Sequence, residues 1–335
     1  MLDVSIVGAT GYTGLELVKI LINHPKFNIT YIANSEGGTT IDKLHPSLTD
    51  VLDMDVKKAN PNEIAKVSKL CFLALPHKTA MSFAKELISL GVKVVDLSAD
   101  YRLELDTYEE YYCPHQDKEN LPHAVYGLPE FYKDDIRKAN LVANPGCYPT
   151  ASLLALLPFV KYIDENSNIF IDAKSGVSGA GKKLSETTHY VTINDNIFAY
   201  NPMKHRHMPE IKEKVKLLEE KELKINFVPH LIAATRGMLV SVYATLNEDI
   251  DCKTILKEYY KDCEFIRVKD KPVDIKSTAG TNFCDIFVEQ NDNAIFINSS
   301  IDNLLRGASS QAVVNANLMC GYEENCGISK IAYVP

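Results

Sequence analysis

The chain has 335 residues, more than one ordinary domain of ~100–200 residues holds, so two domains are expected. Lys and Arg number 36 against 44 Asp and Glu, and the formal charge of −8 excludes a global attraction to nucleic acid or to an anionic membrane. With 46% hydrophobic and 24% charged residues the composition is globular rather than disordered, and the longest strongly apolar run, 151–160, is too short for a membrane span of ~20 residues.

In chain order, residues 4–7 read as a buried strand and 13–24 as a helix with Leu17, Val18, Leu21 and Ile22 on one face. Between them Gly8, Gly11 and Gly14 make a G-x-x-G-x-x-G loop that includes Thr10, Tyr12 and Thr13. In a strand–loop–helix setting this is a variant of the dinucleotide fingerprint. Glycine permits the turn and lets backbone amides approach a pyrophosphate, and the helix N-terminus favours the negative charge. A second strand at 29–33 ends in Asn34-Ser35-Glu36-Gly37-Gly38. A carboxylate at such an end serves the ribose hydroxyl of NAD, whereas Ser35 can donate to a 2′-phosphate. With Glu36 turned away the loop leans to NADP, although it holds no arginine.

Further strands are expected at 70–75, 92–97 and 141–143, with a helix at 79–90 stopped by Gly91. Strands separated by helices imply βαβ units and a parallel sheet. The stretch 98–139 is rich in Tyr, Asp, Glu and Pro without a period and reads as a long surface excursion.

Asn144-Pro145-Gly146-Cys147-Tyr148-Pro149-Thr150 precedes an apolar helical run at 151–162. Cys147 thus falls at a helix N-terminus, where the partial positive charge lowers a thiol pKa and makes a thiolate available. The plain alternative is an inert thiol. The other cysteines of the eight, such as Cys71 and Cys320, read as packing residues in a reducing compartment. The N-terminus shows no basic region or cleavage site, so the expected location is the cytoplasm.

After about residue 148 the texture changes. Runs at 169–173, 225–229, 238–246, 283–289 and 294–299 favour a mixed or antiparallel sheet, covered by helices at 209–222 and 253–261. A final helix at 309–321 is apolar at Ala312, Val313, Ala316 and Met319. The fold class is therefore α/β: a Rossmann-type parallel-sheet domain followed by an α+β mixed-sheet domain.

Three segments here can carry chemistry. Tyr200 to Glu210 gathers His205, Arg206, His207 and Glu210 ahead of a helix. No nearby Cys or Asp completes a metal set, so acid/base work by an imidazole is the sharper reading and solvated histidines the plain one. Ser178 and Gly179 lie in a small-residue loop suited to an anion, and Arg236 can pair with a substrate carboxylate, or can be an ordinary surface arginine. Gln311 and Asn315, four apart on the last helix, either meet a nicotinamide amide or form the wet side of that helix.

The order of these segments, together with Leu75-Pro76-His77 and Asp96-Leu97-Ser98-Ala99-Asp100-Tyr101-Arg102, resembles the N-acetyl-gamma-glutamyl-phosphate reductase family (type 1) along essentially the whole chain. That family is similar in fold to aspartate-semialdehyde dehydrogenase. The resemblance implies an NADP-binding Rossmann domain of residues 1–146 and 306–335, and a catalytic and oligomerisation domain of 147–305. It implies that Cys147 attacks an acyl phosphate, expels phosphate and forms a thioester, and that NADPH then reduces the thioester so that an aldehyde is released. His207 matches the acid/base histidine, with His205 close by. Pro76 and His77 match a loop near the cofactor, and Gln311 and Asn315 the nicotinamide side. Arg102, Asn144, His205, Arg206, Glu210 and Arg236 are the substrate-binding candidates. The expected partner is a small acyl-phosphate molecule within a homodimer or homotetramer, in arginine biosynthesis. Rivals are an aminoadipyl-phosphate reductase of lysine biosynthesis, aspartate-semialdehyde dehydrogenase, a non-catalytic NADP-binding regulator, and a cofactor-free cysteine hydrolase.

Overall fold

The computed structural model describes residues 1–332; residues 333–335, the end of the expected 306–335 segment, lie outside the described residues. The chain divides into two compact units: residues 1–145 with 308–328, and residues 146–307 with the described residues from Ser329 on.

Unit 1 opens with β1 (Leu2–Val7), α1 (Tyr12–Ile22) and β2 (Phe27–Asn34). The short β3 (Thr39–Thr40), α2 (Ile41–Leu44), β4 (Asp55–Lys58) and α3 (Pro61–Val67) follow, where sequence periodicity indicates no element. Next come β5 (Leu70–Leu73), α4 (Thr79–Ser89), β6 (Lys93–Asp96), α5 (Leu105–Tyr111), β7 (Val125–Tyr126), α6 (Pro129–Lys138) and β8 (Leu141–Ala143). The eight strands form one sheet in the order β3-β4-β2-β1-β5-β6-β8-β7, parallel except for the β3–β4 pair. Side chains alternate between its faces. Val4, Ile6, Ile32, Leu70, Phe72, Val95 and Val142 enter one apolar core, while Val7, Tyr31, Ala33, Cys71, Leu73, Val94 and Leu141 enter the other. A sheet buried on both faces reads as continuous apolar runs, which is why these strands were visible in the sequence.

The stretch 98–139 is not a surface excursion. It holds α5, β7 and α6, and Tyr101, Leu103, Tyr108, His115 and Asp117 within it are buried. Its core is polar: Tyr101 donates to Asp117 Oδ2 at 2.6 Å, Tyr108 donates to Asp100 Oδ1 at 2.7 Å, and His115 Nε2 bonds the carbonyl of Asp100 at 2.8 Å. Burial satisfied by hydrogen bonds leaves no apolar period to find.

Unit 2 runs α7 (Cys147–Leu156), β9 (Asn168–Gly176), α8 (Tyr190–Ile193), β10 (Ile197–Ala199), α9 (His207–Glu219), β11 (Lys224–Ile232), β12 (Met238–Thr245), α10 (Cys252–Tyr259), β13 (Ile266–Val268), β14 (Cys284–Asn291) and β15 (Ala294–Ile301). Its seven strands form a mixed sheet in the order β10-β11-β9-β12-β15-β14-β13. α7 stops at Leu156, six residues earlier than expected, because Pro158 tightens 157–162 into a 3-10 stretch. Tyr148 to Leu156 of α7 are all buried, against β12, β15 and α9. The chain then re-enters unit 1 as α11 (Ser309–Met319), which packs on α1 and α6. α11 has no wet side, because every residue from Ser309 to Met319 is buried, Gln311 and Asn315 included. Among the described residues no helix is long and apolar enough to cross a membrane.

Candidate active site

In unit 1 the glycine loop has the conformation that its composition requires. Gly8 sits at φ +96°, and a Cβ there would fall 2.2 Å from the carbonyl oxygen of Ala74. A Cβ on Gly14 would fall 2.5 Å from the carbonyl oxygen of Gly8, so the loop lies flush on its neighbours only without side chains. α1 follows Gly11 as its N-cap residue, with no side-chain cap and no acidic residue in its first turn, the arrangement that suits a phosphate. Thr10 and Tyr12 are exposed and Thr13 is half-buried. A residue that sequence reasoning missed braces this loop: buried His45 places Nε2 2.7 Å from the carbonyl oxygen of Ala9. Only its polar character among apolar neighbours signalled it.

At the end of β2, Asn34 Oδ1 accepts the amides of Glu36 and Gly37 at 2.9 and 2.6 Å and turns the loop, with Ser35 and Glu36 exposed. After β5, Pro76 is exposed and the half-buried His77 meets the Tyr112 ring edge-on at 5.5 Å. Lys78 follows at φ +73°, and buried Asp100 accepts its amide at 2.9 Å and that of Met81 at 3.0 Å. Burial, then the charge of Asp100, push Asp96 up to about 7.

Two substrate candidates in unit 1 are occupied with the scaffold. Arg102 Nε donates to the carbonyl of Asn144 at 2.8 Å and its second terminal nitrogen to that of Leu97 at 2.8 Å. Asn144 donates to the carbonyl of Ala308 at 3.1 Å and accepts from Asn315 Nδ2 at 3.0 Å, and Asn315 also donates to the carbonyl of Gly127 at 2.9 Å. These bonds tie α11 to the end of β8. Gln311 is fully buried one turn earlier.

In unit 2 Cys147 is the first residue of α7, partly exposed, with Gly146 as the cap. No side chain caps this helix, but buried Glu210 accepts the Gly146 amide at 3.1 Å. Gly307 comes so near that a Cβ on it would lie 2.6 Å from Cys147 Cβ. Next to Cys147, Tyr148 carries the link to the histidines. Its ring lies 5.6 Å from that of His205 and 5.8 Å from that of His207, and the two imidazoles are 4.9 Å apart. His205 Nδ1 accepts the His207 amide at 3.1 Å, which leaves the proton of a neutral His205 on Nε2. Burial, then the Arg206 charge, lower His205 to about 4, whereas Arg206 itself is exposed. Tyr200 donates to the Tyr148 hydroxyl at 3.1 Å, and Tyr148 donates to the carbonyl of His230 at 3.2 Å. Burial raises both phenols, Tyr200 to about 12, so they serve as neutral donors.

The remaining candidates meet at a turn after β15. Asn303 Nδ2 donates to Ser178 Oγ at 3.0 Å, and Asn303 Oδ1 accepts the Gly237 amide at 2.8 Å. A Cβ on Gly179 would fall 2.7 Å from Ser175 Oγ. Arg236 Nε stands 3.5 Å from Asp302 Oδ2, so its charge is already offset by a fully buried carboxylate. Cys147, Gly307, Asn303, Ser178 and Gly237 thereby form one connected patch. Asn303 and Gly307 were not singled out by sequence reasoning.

Comparison with known proteins gives the lineage. The description "Semialdehyde dehydrogenase, NAD binding domain" matches residues 3–139, and "Semialdehyde dehydrogenase, dimerisation domain" matches residues 147–303. The chain is 63% identical over 335 residues to an N-acetyl-gamma-glutamyl-phosphate reductase of Sulfurovum sp., covering 100% of both chains. It is 59% identical over 334 residues to that of Wolinella succinogenes, covering 100% of this chain and 99% of the relative. Among solved structures it is similar to aspartate semialdehyde dehydrogenase II of Vibrio cholerae complexed with ASA, with TM-score 0.73 and 18% identity over 96% of this chain and 98% of that one. The enzyme of Candida albicans with NADP superposes with TM-score 0.73 at 15% identity over 97% of this chain and 99% of that one. At that distance the structural likeness speaks for the fold, whereas the full-length identities place the chain by descent: it belongs to the N-acetyl-gamma-glutamyl-phosphate reductase family.

Proposed function

We propose that the chain reduces N-acetyl-gamma-glutamyl phosphate to N-acetylglutamate 5-semialdehyde, with NADPH as reductant and release of phosphate, in arginine biosynthesis. The observation that carries this reading is Cys147 at the first position of α7, beside Gly307 and next in chain to Tyr148, whose ring contacts both His205 and His207.

The Cys147 sulfur attacks the acyl carbon, the carbon–oxygen bond to phosphate breaks, and a thioester remains on the chain. The helix N-terminus favours the thiolate that this attack needs. Gly8, Thr10, Gly11, Tyr12, Thr13 and Gly14 are assigned to the pyrophosphate, Ser35 to the ribose side, and Pro76, His77, Ser178, Gly179, Gln311 and Asn315 to the rest of the cofactor. The flush loop at Gly8 and Gly14 and the uncapped start of α1 fit such a group. When bound, NADPH supplies a hydride. His207 donates to the oxygen of the tetrahedral adducts on Cys147 and takes the proton back as each adduct collapses. His205 is held neutral and orients His207 through its amide. Arg206 and Arg236 are assigned to phosphate and carboxylate binding, Glu210 to the base of the nucleophile's helix, and Arg102 and Asn144 to the scaffold under the cofactor loops.

We assign residues 1–146 and 306–335 to NADP binding and 147–305 to catalysis and oligomerisation, close to the cuts at 145/146 and 307/308 between the compact units. Exposed Phe170 and Tyr243 stand in register with each other and with Phe296 across β9, β12 and β15, which supports a homodimer or homotetramer built on that sheet face. The proposed location is the cytoplasm.

The test is phosphate-dependent oxidation of N-acetylglutamate semialdehyde, run with NADP and then NAD. Turnover with NADP that vanishes in Cys147→Ser, while NADPH binding persists, supports the reading. Substantial turnover by Cys147→Ser overturns the covalent step, and activity only on a carrier-attached substrate overturns the substrate assignment.

A further inference from the structure

The glycine loop accounts for the pyrophosphate but not for a choice between the two nicotinamide cofactors. That choice is made at the ribose, which in this fold class lies at the carboxyl end of the second strand. In this chain β4 runs parallel to β2, with Ala33 opposite Lys57 and Asn34 opposite Lys58. Two lysines therefore stand level with the end of β2. The loop after β2 holds no arginine or lysine, only Ser35, Glu36, Gly37 and Gly38. It is pressed onto the lysine-bearing strand: Gly37 lies at φ +71°, and a Cβ there would fall 2.4 Å from the Lys58 backbone nitrogen.

An open cavity of about 740 Å³ adjoins this loop, with Thr39, Thr40, Lys43, Lys57 and Lys58 in its lining. Its carboxylates are Asp55 and Glu63, and Glu63 Oε2 is engaged by the Tyr31 hydroxyl at 3.4 Å. Lys57 Nζ stands 5.1 Å over the Tyr31 ring, which positions its ammonium without neutralising it. Lys58 is exposed and, among the described residues, is in no ion pair. Flexible ammonium groups around threonine hydroxyls suit a phosphate dianion as point charges and donors.

We propose that Lys57 and Lys58, joined by Lys43, recognise the 2′-phosphate of the adenosine ribose, so that preference for NADP over NAD resides on β4 rather than in the loop after β2. This rests on the NADPH reading above. The charge that decides then comes from the neighbouring strand and not from the loop after β2, whose Glu36 is absent from the lining of the cavity.

The experiment titrates NADPH, NADH and 2′,5′-ADP by fluorescence or calorimetry into the full chain, its Lys58→Ala variant and the Lys57→Ala/Lys58→Ala double variant. Each lost ammonium–phosphate contact weakens binding about tenfold. NADPH and 2′,5′-ADP should therefore bind about tenfold more weakly to the single variant and up to about a hundredfold more weakly to the double one. NADH should bind all three proteins alike, and the NADPH affinity of the parent should fall more steeply with salt than that of the double variant. These lysines are exposed, and unchanged melting and unchanged alkylation of Cys147 check that the variants are folded. A parent chain that prefers NADPH together with variants that keep the preference overturns the site alone. Equal weakening of NADPH and NADH also overturns it. A parent that binds NADH as tightly as NADPH overturns the cofactor reading, and the site with it.

Discussion

Glu210 Oε1 lies 3.1 Å from the Gly146 nitrogen and accepts its hydrogen, one residue before the sulfur-bearing Cys147. The carboxylate is buried, so it fixes the start of α7 and also places negative charge near the thiol. Glu210→Ala leaves a buried amide unpaired and should cost about 1–3 kcal/mol, read as a lower melting temperature. Glu210→Gln keeps an acceptor and removes the charge. Its Cys147 thiol should titrate at lower pH than in the parent, measured by the pH dependence of iodoacetamide alkylation. A thiol that moves upward, or not at all, would show that the carboxylate does not act on the sulfur.

The His205 imidazole makes unit 2 acid-sensitive. Its pKa is lowered from 6.5 to about 4 by burial and then by Arg206. Below pH 6.5 the unfolded chain takes up a proton that the folded chain refuses. Stability is therefore complete above about 6.5 and is lost as pH falls towards 4, by at most about 3 kcal/mol before solvent screening reduces it. His205→Asn keeps an acceptor for the His207 amide and cannot charge. Urea midpoints followed from pH 7 to pH 4 should fall less steeply in that variant than in the parent.

His45 is expected to act on cofactor affinity from behind the glycine loop. Its ring nitrogen holds the Ala9 carbonyl at 2.7 Å. His45→Ala should weaken NADPH binding roughly tenfold, the effect of one buried hydrogen bond, and His45→Gln, which restores a donor, should recover most of it. Cys147 alkylation should be unchanged in both. Fluorescence titration decides, and equal affinity in all three proteins would show that the loop holds its shape without this bond.

Asp100 should act in the same sense on the loop after β5. It accepts the amides of Lys78 and Met81 while Lys78 occupies a left-handed conformation that a lysine adopts at a cost. Asp100→Ala frees that loop, and the expected result is a rise of about tenfold in the KM for NADPH with a smaller change in kcat. A kcat that falls while KM holds would put Asp100 in a different role.

The parts of this molecule legible in its sequence are those where physics leaves one residue type. Gly8 could be read because a Cβ there would strike Ala74, and β5 because a strand buried on both faces is apolar throughout. The stretch 98–139 was opaque for the opposite reason. Asp100, Tyr108, His115 and Asp117 are buried with their polar atoms bonded, and such a core leaves no period in the chain. α11 misled in the same way: Gln311 and Asn315 suggest a wet face, yet Asn315 spends its amide on Gly127 and Asn144 inside the protein. Candidates such as Cys147 and His207 were readable as types in a motif. The neighbours that complete the patch, Asn303 and Gly307, became visible only once the turn after β15 was in place.

The return of α11 has a consequence for how the protein is made. Ala312, Val313 and Ala316 are part of the same apolar core as Val4 and Ile6, and Ser309 donates to the carbonyl of Thr13 at 3.0 Å. A ribosome therefore delivers the glycine loop first and the helix that seals it nearly three hundred residues later. Until then the core that α1 and α6 share with the sheet lacks the apolar side of α11, while residues 146–307 can finish folding in between. The first residues translated are among the last to be closed, and a chain truncated before Ser309 would offer the apolar surface that α11 leaves behind to chaperones or to aggregation.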